Sequence, residues 1–502
     1  MIYSQIKHYQ NYDYALCNDG TVGLLRYHGN FKDIVVPSEI AGKKVSRICE
    51  NCFRSTNVLN SIVFPEGLQT IESKAFSIRH IGFYGKRAHK IKEIFIPASL
   101  TEIKPGAFNC CAEIETIKVH PNNPVYDSRD NCNAIIDTAK NELVVGCVNT
   151  VFPKGVNKIG KFAFASRINF EEFTIPDSID TIEDRAFSYC VNLKKINLPS
   201  KLKKLGNGMF FKCKELNKIK LPDGIDKIGR DTFNECENLK RIVIPKTVVK
   251  IGSYAFRCTG LKKIEIPSSV KIMGDGAFCG CHHLESVKMS CKLKKIEKFT
   301  FWWCNKLKHI ELPSLIEVIE SCAFFKCGSL EEIIIPDHVK TIGQLAFDGC
   351  ASAKTVIIGE SVEVIQMGAF EVCGMKYIKI PKSVREIHYE ALYRCNNLEV
   401  IEFEEIDNIK IVPKDIFDGK PNLQKIIIGD SVSKKFAALI TEAALKNNNV
   451  LLLEDNILSL LAKGQLQKYE EMARVNEQID ICNRFITEYN RRFGGKSRLQ
   501  NI

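Results

Sequence analysis

The sequence predicts a repeat solenoid: a curved β-solenoid of short strands, with a small N-terminal β-cap and a C-terminal α-helical segment. Ten cysteines recur at steps of 22 or 23 residues, and a phenylalanine stands three residues before eight of them. A fixed period of this length is typical of one structural unit stacked many times. The cysteines of this predicted ladder are Cys190, Cys213, Cys236, Cys258, Cys281, Cys304, Cys327, Cys350, Cys373 and Cys395.

The two shorter steps require one-residue deletions. We place both between the phenylalanine and cysteine positions, because Phe256 lies two residues before Cys258 and Leu392 fills the position before Cys395. The ladder cysteines are expected to be reduced, buried, small apolar fillers, since most of them occupy one interior position of the repeat. Neighbouring ladder cysteines would also have a Cα spacing near that of disulfides, so geometry alone leaves pairing open.

One period reads L-x-x-I-x-I-P-x-x-V-x-x-I-G-x-x-A-F-x-x-C, most clearly in residues 261–281 and 330–350. The I-x-I alternation predicts a short strand with two side chains inward and one outward, and the proline ends it because it lacks an N–H. V-x-x-I-G predicts a turn or a second short strand, in which Gly229, Gly252 and Gly343 supply a permissive backbone. The A-F pair and the cysteine are expected to fill the interior.

This pattern resembles the BspA-type leucine-rich repeat family, the leucine-rich repeat 5 class, over about residues 35–430. Residues 120–164 resemble the longer, hairpin-bearing unit of that family. The departures are an irregular insertion at residues 77–91 and the replacement of the proline by Ser290 and Gly359. The resemblance implies a leucine-rich-repeat solenoid that binds partners on its concave sheet, and it implies a cell-surface location for many relatives.

The two ends of the chain depart from the repeat. Residues 1–34 alternate around two turn sequences and predict a β-cap over the first edge of the solenoid. Residues 431–502 predict helices, the last of which has an apolar 3-4 spacing. We favour an amphipathic helix packed against the end of the solenoid or against the preceding helix in a monomer. The alternative is a docking helix, or one that pairs in a homodimer. Its apolar residues are Met472, Val475, Ile479, Cys482, Ile486, Tyr489 and Phe493.

Composition excludes several classes of protein. The net charge is +12, but no block of five consecutive basic residues is present, which argues against specific nucleic-acid binding. No apolar stretch has the length of about 18 residues that a membrane span needs. The N-terminus has no apolar segment of the signal-peptide type, so we expect a cytoplasmic protein, with a cell-surface or secreted location, as in many relatives, as the alternative.

Sequence motifs for catalysis or metal binding are weak. Cys49 and Cys52 form a C-x-x-C, but both fall on positions of the repeat and no second ligand pair follows. No G-x-S-x-G, Walker loop, dinucleotide fingerprint or H-E-x-x-H is present. We therefore predict no metal, no cofactor and no enzymatic activity.

The outward positions of the predicted strands form a candidate binding surface, the strand face. Its N-terminal half is basic, and its C-terminal half combines apolar side chains with acids. Exposed neighbouring isoleucines favour an interface, whereas the alternative is that β-branched residues here only serve strand propensity. The candidate residues are Lys195, Lys218, Lys220, Arg241, Lys263, Lys288, Ile334, Ile357 and Tyr377.

A second candidate surface is aromatic. Trp302 and Trp303 fill the two variable positions between Phe301 and Cys304, and Phe325 occupies the position of Trp302 in the next repeat. Stacked, exposed rings are suited to sugar binding or to a protein hot spot. The alternative is a lid over the edge of the solenoid.

The predicted function is that of a non-catalytic scaffold that presents a repeat surface to a protein partner, or less favourably to a glycan. One alternative is an exported cell-surface adhesin that binds host or matrix ligands. The other is an intracellular structural or regulatory scaffold.

Overall fold

The structure is a computed structural model that describes residues 6–54, 58–77, 88–404, 409, 416–417 and 420–428. The predicted helical region 431–502, with its apolar residues from Met472 to Phe493, lies outside the described residues, as do residues 78–87 of the insertion. The chain forms two compact units, Met1–Ala277 and Phe278–Ile502.

The first unit begins with an antiparallel meander, formed by the strands Lys7–Tyr9, Tyr12–Leu16 and Val22–Tyr27. The third of these strands then pairs in parallel with Lys43–Ile48, which also forms a short hairpin with Glu39–Ile40. The meander therefore covers the first edge of the parallel stack, where unpaired backbone groups would otherwise remain.

In most described repeats, a first strand precedes the proline position and a second strand ends at the I-G position, and each aligns with its counterparts in neighbouring repeats. We call these the first-strand and second-strand columns. In the first unit, the first-strand column contains Asp33–Val35, Ser61–Val63, Glu93–Ile96, Thr116–Val119, Glu172–Thr174, Lys195–Asn197, Lys218–Ile219 and Lys263–Glu265. The second-strand column contains Lys43–Ile48, Thr70–Ile71, Glu102–Ile103, Lys158–Ile159, Thr181–Ile182, Lys204–Leu205, Lys227–Ile228, Lys250–Ile251 and Ile272–Met273.

The second unit repeats the same two columns. Its second strands form one continuous, five-stranded parallel sheet. The first-strand column contains Ser286–Lys288, His309–Ile310, Glu332–Ile334, Thr355–Ile357, Tyr377–Ile380, Val400–Phe403 and Lys425–Ile428. The second-strand column contains Lys295–Ile296, Val318–Ile319, Thr341–Ile342, Val364–Ile365 and Glu386–Ile387.

These columns confirm the predicted repeat solenoid of short strands. Within the described residues, helical structure amounts to one 3₁₀ turn at Arg129–Asn131. No helix in the same ranges has the length and apolarity that crossing a bilayer requires. The I-x-I-P and V-x-x-I-G segments are thus both strands, and the helix-rich version of a leucine-rich repeat does not occur in the described repeats.

The A-F-x-x-C segments form a third column, the turn column, which is also hydrogen-bonded from repeat to repeat. The backbone N–H groups of Phe187 and Tyr189 donate to the carbonyls of Met209 and Phe211 at 3.1 and 2.7 Å. This geometry requires a left-handed residue directly before the cysteine, which costs about 1–2 kcal/mol for an L-residue other than glycine. Side chains occupy that position with φ between 52° and 63° at Tyr189, Lys212, Glu235, Trp303, Lys326, Val372 and Arg394.

The ladder cysteines satisfy carbonyls that face the interior. The thiol of Cys213 donates to the Phe187 carbonyl of the preceding repeat, and that of Cys327 to the Phe301 carbonyl, each at 3.1 Å. Burial raises the pKa of the Cys190 thiol to about 12, which keeps it protonated as a donor. The same bond, at 3.1–3.5 Å, is made by Cys190, Cys236, Cys304, Cys350, Cys373 and Cys395.

The phenylalanines of the A-F pairs stack beside these thiols. Their ring centroids lie 5.0–6.0 Å apart between successive repeats within each unit, which is the spacing of favourable aromatic pairs. In the first unit the stack contains Phe164, Phe187, Phe210, Phe233 and Phe256, and in the second it contains Phe278, Phe301, Phe324, Phe347 and Phe370. The interior predicted from the period is therefore a continuous apolar column in each unit.

The prediction that Cys258 belongs to the ladder is wrong. Thr259 takes the buried position three residues after Phe256 and is 3% exposed, whereas Cys258 is half-buried and adopts the left-handed position, with φ of 52°. Leu392 and Cys395 are both buried and keep the usual spacing. Both deletions therefore lie outside the interval in which we had placed them.

The glycines of the I-G pairs have a different role from the one predicted. A Cβ atom added to Gly252 would lie 2.5 Å from the backbone nitrogen of Arg230, and one added to Gly343 would lie 2.6 Å from the carbonyl carbon of Glu320. Neither glycine adopts a positive φ. The glycine is required because two repeats approach closely, and not because the backbone is unusual.

The predicted hairpin interrupts the first unit. Its strands are Tyr126–Asp127, Ala134–Asp137 and Glu142–Gly146, which pair antiparallel. Beyond it, Arg167 takes the ladder position three residues after Phe164 and is 2% exposed. Its guanidinium donates to the carbonyls of Gly146 and Cys111, each at 2.9 Å, while burial lowers its pKa. A buried arginine thus satisfies the carbonyls that the hairpin leaves without a repeat neighbour.

We expect Cys236→Ala to lower the free energy of unfolding by about 1–3 kcal/mol, because it removes a fully buried side chain together with its hydrogen bond to the Phe210 carbonyl. Cys258→Ala, the matched control, should change it by less than about 0.5 kcal/mol, because that side chain is half-exposed and outside the ladder. Urea denaturation of the two variants measures the difference. Equal losses would contradict the register found for Thr259.

Candidate functional site

The predicted strand face points to solvent in the second unit. Ile334 and Ile357 are 50% and 51% exposed, and they are aligned as partners in adjacent parallel strands. Their chain neighbours Ile333 and Val356 are buried, so the alternation of the strands directs the two isoleucines outward. The structure therefore brings two exposed apolar side chains into register.

Tyr377 extends the same face. Its side chain is 43% exposed, and its hydroxyl donates to the Glu402 carboxylate at 2.6 Å. Partial burial, together with the neighbouring Glu402 carboxylate, raises the pKa of the Tyr377 phenol to about 12, so the hydroxyl stays protonated. Lys379, on the same strand, forms an ion pair with Glu404 at 3.2 Å. The tyrosine ring is thus held in place beside a charged border.

The basic part of the strand face also lies at the surface. Lys195 is half-buried and forms an ion pair with Glu172 at 3.2 Å. Lys288, in the second unit, is exposed. The four remaining cations are exposed and form no ion pair with any described residue; they are Lys218, Lys220, Arg241 and Lys263. Their charge is available to a partner or to counterions.

The structure adds an apolar row that we did not predict. Val35 and Val63 are register partners in the first-strand column of the first unit and are 73% and 55% exposed. Phe95 occupies the equivalent position, is 50% exposed and meets His120 edge to face at 6.2 Å. The sequence carries this row at the outward positions of the earlier first strands, whereas the predicted strand face begins at Lys195.

The predicted aromatic cluster is assembled on the turn column of the second unit. The ring of Trp302 stacks on Trp303 at 5.3 Å and on Phe325 at 6.1 Å. The Lys326 ammonium lies 5.2 Å from the Trp303 ring, and His282 meets that ring edge to face at 6.2 Å. Trp303 is 38% exposed. The sequence did not assign Lys326 or His282 to the cluster, although Lys326 directly follows Phe325.

The backbone explains why the cluster forms. Trp303 and Lys326 both occupy the left-handed position before the ladder cysteine, one repeat apart. Their backbones are joined because the Trp303 N–H donates to the Phe325 carbonyl at 2.8 Å. The repeat thus places a cation over aromatic rings, which contributes about 0.5–1 kcal/mol at an exposed site.

Metal ligands do not converge in the described parts of the chain. No group of three or more His, Cys, Asp or Glu side chains that could hold a metal ion occurs there. Cys49 and Cys52 are 3% and 0% exposed within the apolar core, and burial raises the pKa of the Cys52 thiol. This pair therefore has the environment of structural cysteines.

Parallel first and second strands, a proline between them and an A-F-x-x-C turn define a leucine-rich-repeat solenoid. The model of the family described as "BspA type Leucine rich repeat region", which comprises six copies of the repeat, matches residues 26–132, 145–259, 227–350 and 317–449. The chain belongs to this family.

Solved structures with a similar fold come from several bacteria. A leucine-rich repeat protein from Bacteroides ovatus is 26% identical, with a TM-score of 0.47, over 84% of this chain and 94% of its own. A leucine rich cell surface protein from Faecalibacterium prausnitzii is 20% identical, with a TM-score of 0.39, over 85% and 96%. The pneumococcal vaccine antigen PcpA is 18% identical, with a TM-score of 0.44, over 90% and 99%. The comparison with curated proteins gives no match.

We expect Trp303→Phe to remove most of the tryptophan emission that acrylamide can quench, because Trp303 is exposed whereas Trp302 is half-buried between two rings. The matched variant Trp302→Phe should keep most of the quenchable emission. Equal quenching of the two variants would contradict the observed packing.

A panel of neutral oligosaccharides in the same assay tests the sugar interpretation of the aromatic cluster. A saturable shift of the emission that Trp303→Phe abolishes supports it, and unchanged spectra count against it.

Proposed function

We propose that this protein is a non-catalytic binding scaffold that captures a protein partner on the strand face of its second unit. The observation that carries the proposal is the pair Ile334 and Ile357, half-exposed and in register on adjacent strands. Membership of a family of leucine-rich repeats supports a scaffold role in general. The choice of partner class rests on the chemistry of this surface.

The surface has the composition of a protein interface. Apolar and aromatic side chains, Ile334, Ile357 and Tyr377, lie beside Glu332, Lys379 and their charged neighbours. Protein interfaces combine such an apolar centre with a polar rim, and tyrosine is enriched among the residues that dominate their affinity. The backbone hydrogen bonds of the sheet fix the main chain that carries these side chains, so little backbone entropy is lost on binding.

Strand propensity alone explains these residues less well. At the corresponding outward position, some repeats carry polar or charged side chains such as Asn197, Glu265 and Lys288, whereas Val63 and Phe95 are apolar. Single exposed apolar residues are normal on a protein surface. Two in register, with an aromatic residue at the start of the next strand, form a contiguous patch of the kind that marks an interaction site.

The location of the protein decides which partner this surface meets. The sequence-based expectation is a binding scaffold in the cytoplasm, with a structural or regulatory scaffold as one alternative. An exported adhesin would use the same face for a host or matrix ligand. Capture from the cytoplasmic and the extracellular fractions of the native host separates these two functions, because only one fraction contains the partner.

We expect the double substitution Ile334→Ser/Ile357→Ser to weaken partner binding about 30-fold or more, the effect of losing a hot spot worth about 2 kcal/mol. The thermal midpoint should change little, because both side chains are half-exposed. Pull-down from the native host identifies the partner, and titration of the purified pair measures the affinity.

The matched control is Val35→Ser/Val63→Ser, a register pair of similar exposure on the first unit, which should leave partner binding unchanged. A large drop in the thermal midpoint of the isoleucine variant would show that these side chains belong to the core. Unchanged partner capture by that variant would contradict the assignment of this face.

A further inference from the structure

The hairpin of the first unit interrupts the turn column. In a regular repeat, the alanine carbonyl of one turn accepts a hydrogen bond from the phenylalanine N–H of the preceding turn, as Ala186 does from Phe164 at 2.8 Å. Ala163 accepts instead from Gly146 of the hairpin, at 2.9 Å. The turn at residues 161–167 therefore meets a hairpin strand where a preceding turn would otherwise lie.

The interruption has an inner and an outer side. Arg167 fills the inner side and bonds across it to the Cys111 carbonyl at 2.9 Å. On the outer side, the turns at residues 73–77, 105–110, 161–166 and 185–189 border an open groove of about 530 Å³. This volume lies within the range of about 300–1,000 Å³ found for small-molecule sites.

Four polar side chains line this groove without a hydrogen bond or an ion pair to any described residue. The Ser166 hydroxyl makes no hydrogen bond to any described residue, although the residue is only 5% exposed, and the Asn109 amide likewise makes none. The Lys161 ammonium and the Arg185 guanidinium form no ion pair there, and they lie over the rings of Phe162 and Phe211 at 5.7 and 5.0 Å. A buried hydroxyl normally has a hydrogen-bond partner, so Ser166 is the group that points most directly to a ligand in this groove.

Two further features define the charge and shape of the groove. Its carboxylate, Glu50, is already paired with Lys74 at 3.3 Å, so Lys161 and Arg185 leave the groove with a net positive charge. Phe162 and Tyr189 line the same space, and the Lys212 ammonium lies 5.7 Å from the Tyr189 ring. The groove thus combines cations, neutral hydrogen-bonding groups and aromatic faces.

We propose that this groove binds an acidic saccharide. Arg185 and Lys161 pair with a carboxylate or sulfate group of the ligand, because charge-assisted hydrogen bonds to such anions are strong and a guanidinium can bind them with two parallel bonds. Ser166 and Asn109 bond the sugar hydroxyls, and the ring of Tyr189 packs against the apolar face of the sugar. Nucleic acid is disfavoured, since its affinity depends on many phosphate contacts and the groove offers two unpaired cations.

The test is calorimetric titration of the full-length protein with a hyaluronan oligosaccharide, a heparin-derived oligosaccharide and inorganic sulfate. We expect saturable binding of at least one saccharide, and the preferred one shows whether the recognised anion is a carboxylate or a sulfate. Arg185→Ala should weaken that binding about tenfold or more, the effect of losing one charged hydrogen bond. Ser166→Ala should weaken it by a smaller factor.

The matched control is Arg230→Ala, which removes an exposed arginine of a neighbouring turn that packs over Tyr254 at 5.8 Å and lies outside the groove. It should keep the affinity within about twofold. If Arg185→Ala fails to fold, Lys161→Ala gives the same test on an exposed side chain.

The proposal is overturned if neither saccharide binds, if sulfate binds as tightly as both saccharides, or if Arg230→Ala weakens binding as much as Arg185→Ala. None of these results bears on the strand face, whose residues lie on other elements.

Discussion

The hydrogen bond from the backbone of one A-F-x-x-C turn to the next is the interaction on which the rest of the structure depends. It forces a left-handed residue before the ladder position, at Tyr189 with φ of 63° and at Trp303 with φ of 58°. The conformational cost recurs wherever this residue is not glycine, and the structure offsets it by joining the turns and burying a phenylalanine and a cysteine behind them. The Cys213 thiol, by donating to the Phe187 carbonyl, completes the pairing of the inner backbone groups.

The candidate surfaces follow from this arrangement. Because each repeat shows the same backbone to solvent, a surface differs from its neighbours only in its variable side chains. The first-strand column presents the register pair Ile334 and Ile357, and the turn column presents Trp303 beneath Lys326. The groove of the first unit arises differently, because the hairpin replaces a turn and Arg167 closes only the interior side. Regular repeats make a continuous surface of equivalent positions, whereas the interruption by the hairpin leaves a local groove.

The spacing of Phe and Cys was sufficient to predict the solenoid, and the I-x-I alternation predicted the first strand and the outward direction of Ile334. For V-x-x-I-G the sequence left a turn or a second strand open. The sequence could not place the deletion near Cys258, because Cys258 and Thr259 both suit a position after Phe256, and only the backbone selects the buried one. Arg167 could have been found, since it stands three residues after Phe164. The groove could not be predicted, because the turns that border it, such as those at residues 105–110 and 161–166, are distant in sequence.

Hydrogen exchange of the intact protein tests most directly whether the turns form a hydrogen-bonded column. The amides of Phe187 and Tyr189 donate across repeats, so they should exchange as slowly as the amides of the strand Lys195–Asn197. Slow exchange at both places would establish that turns and strands share one cooperative hydrogen-bonded framework. Exchange of the two turn amides near the rate of an unstructured peptide, with the strand still protected, would contradict it.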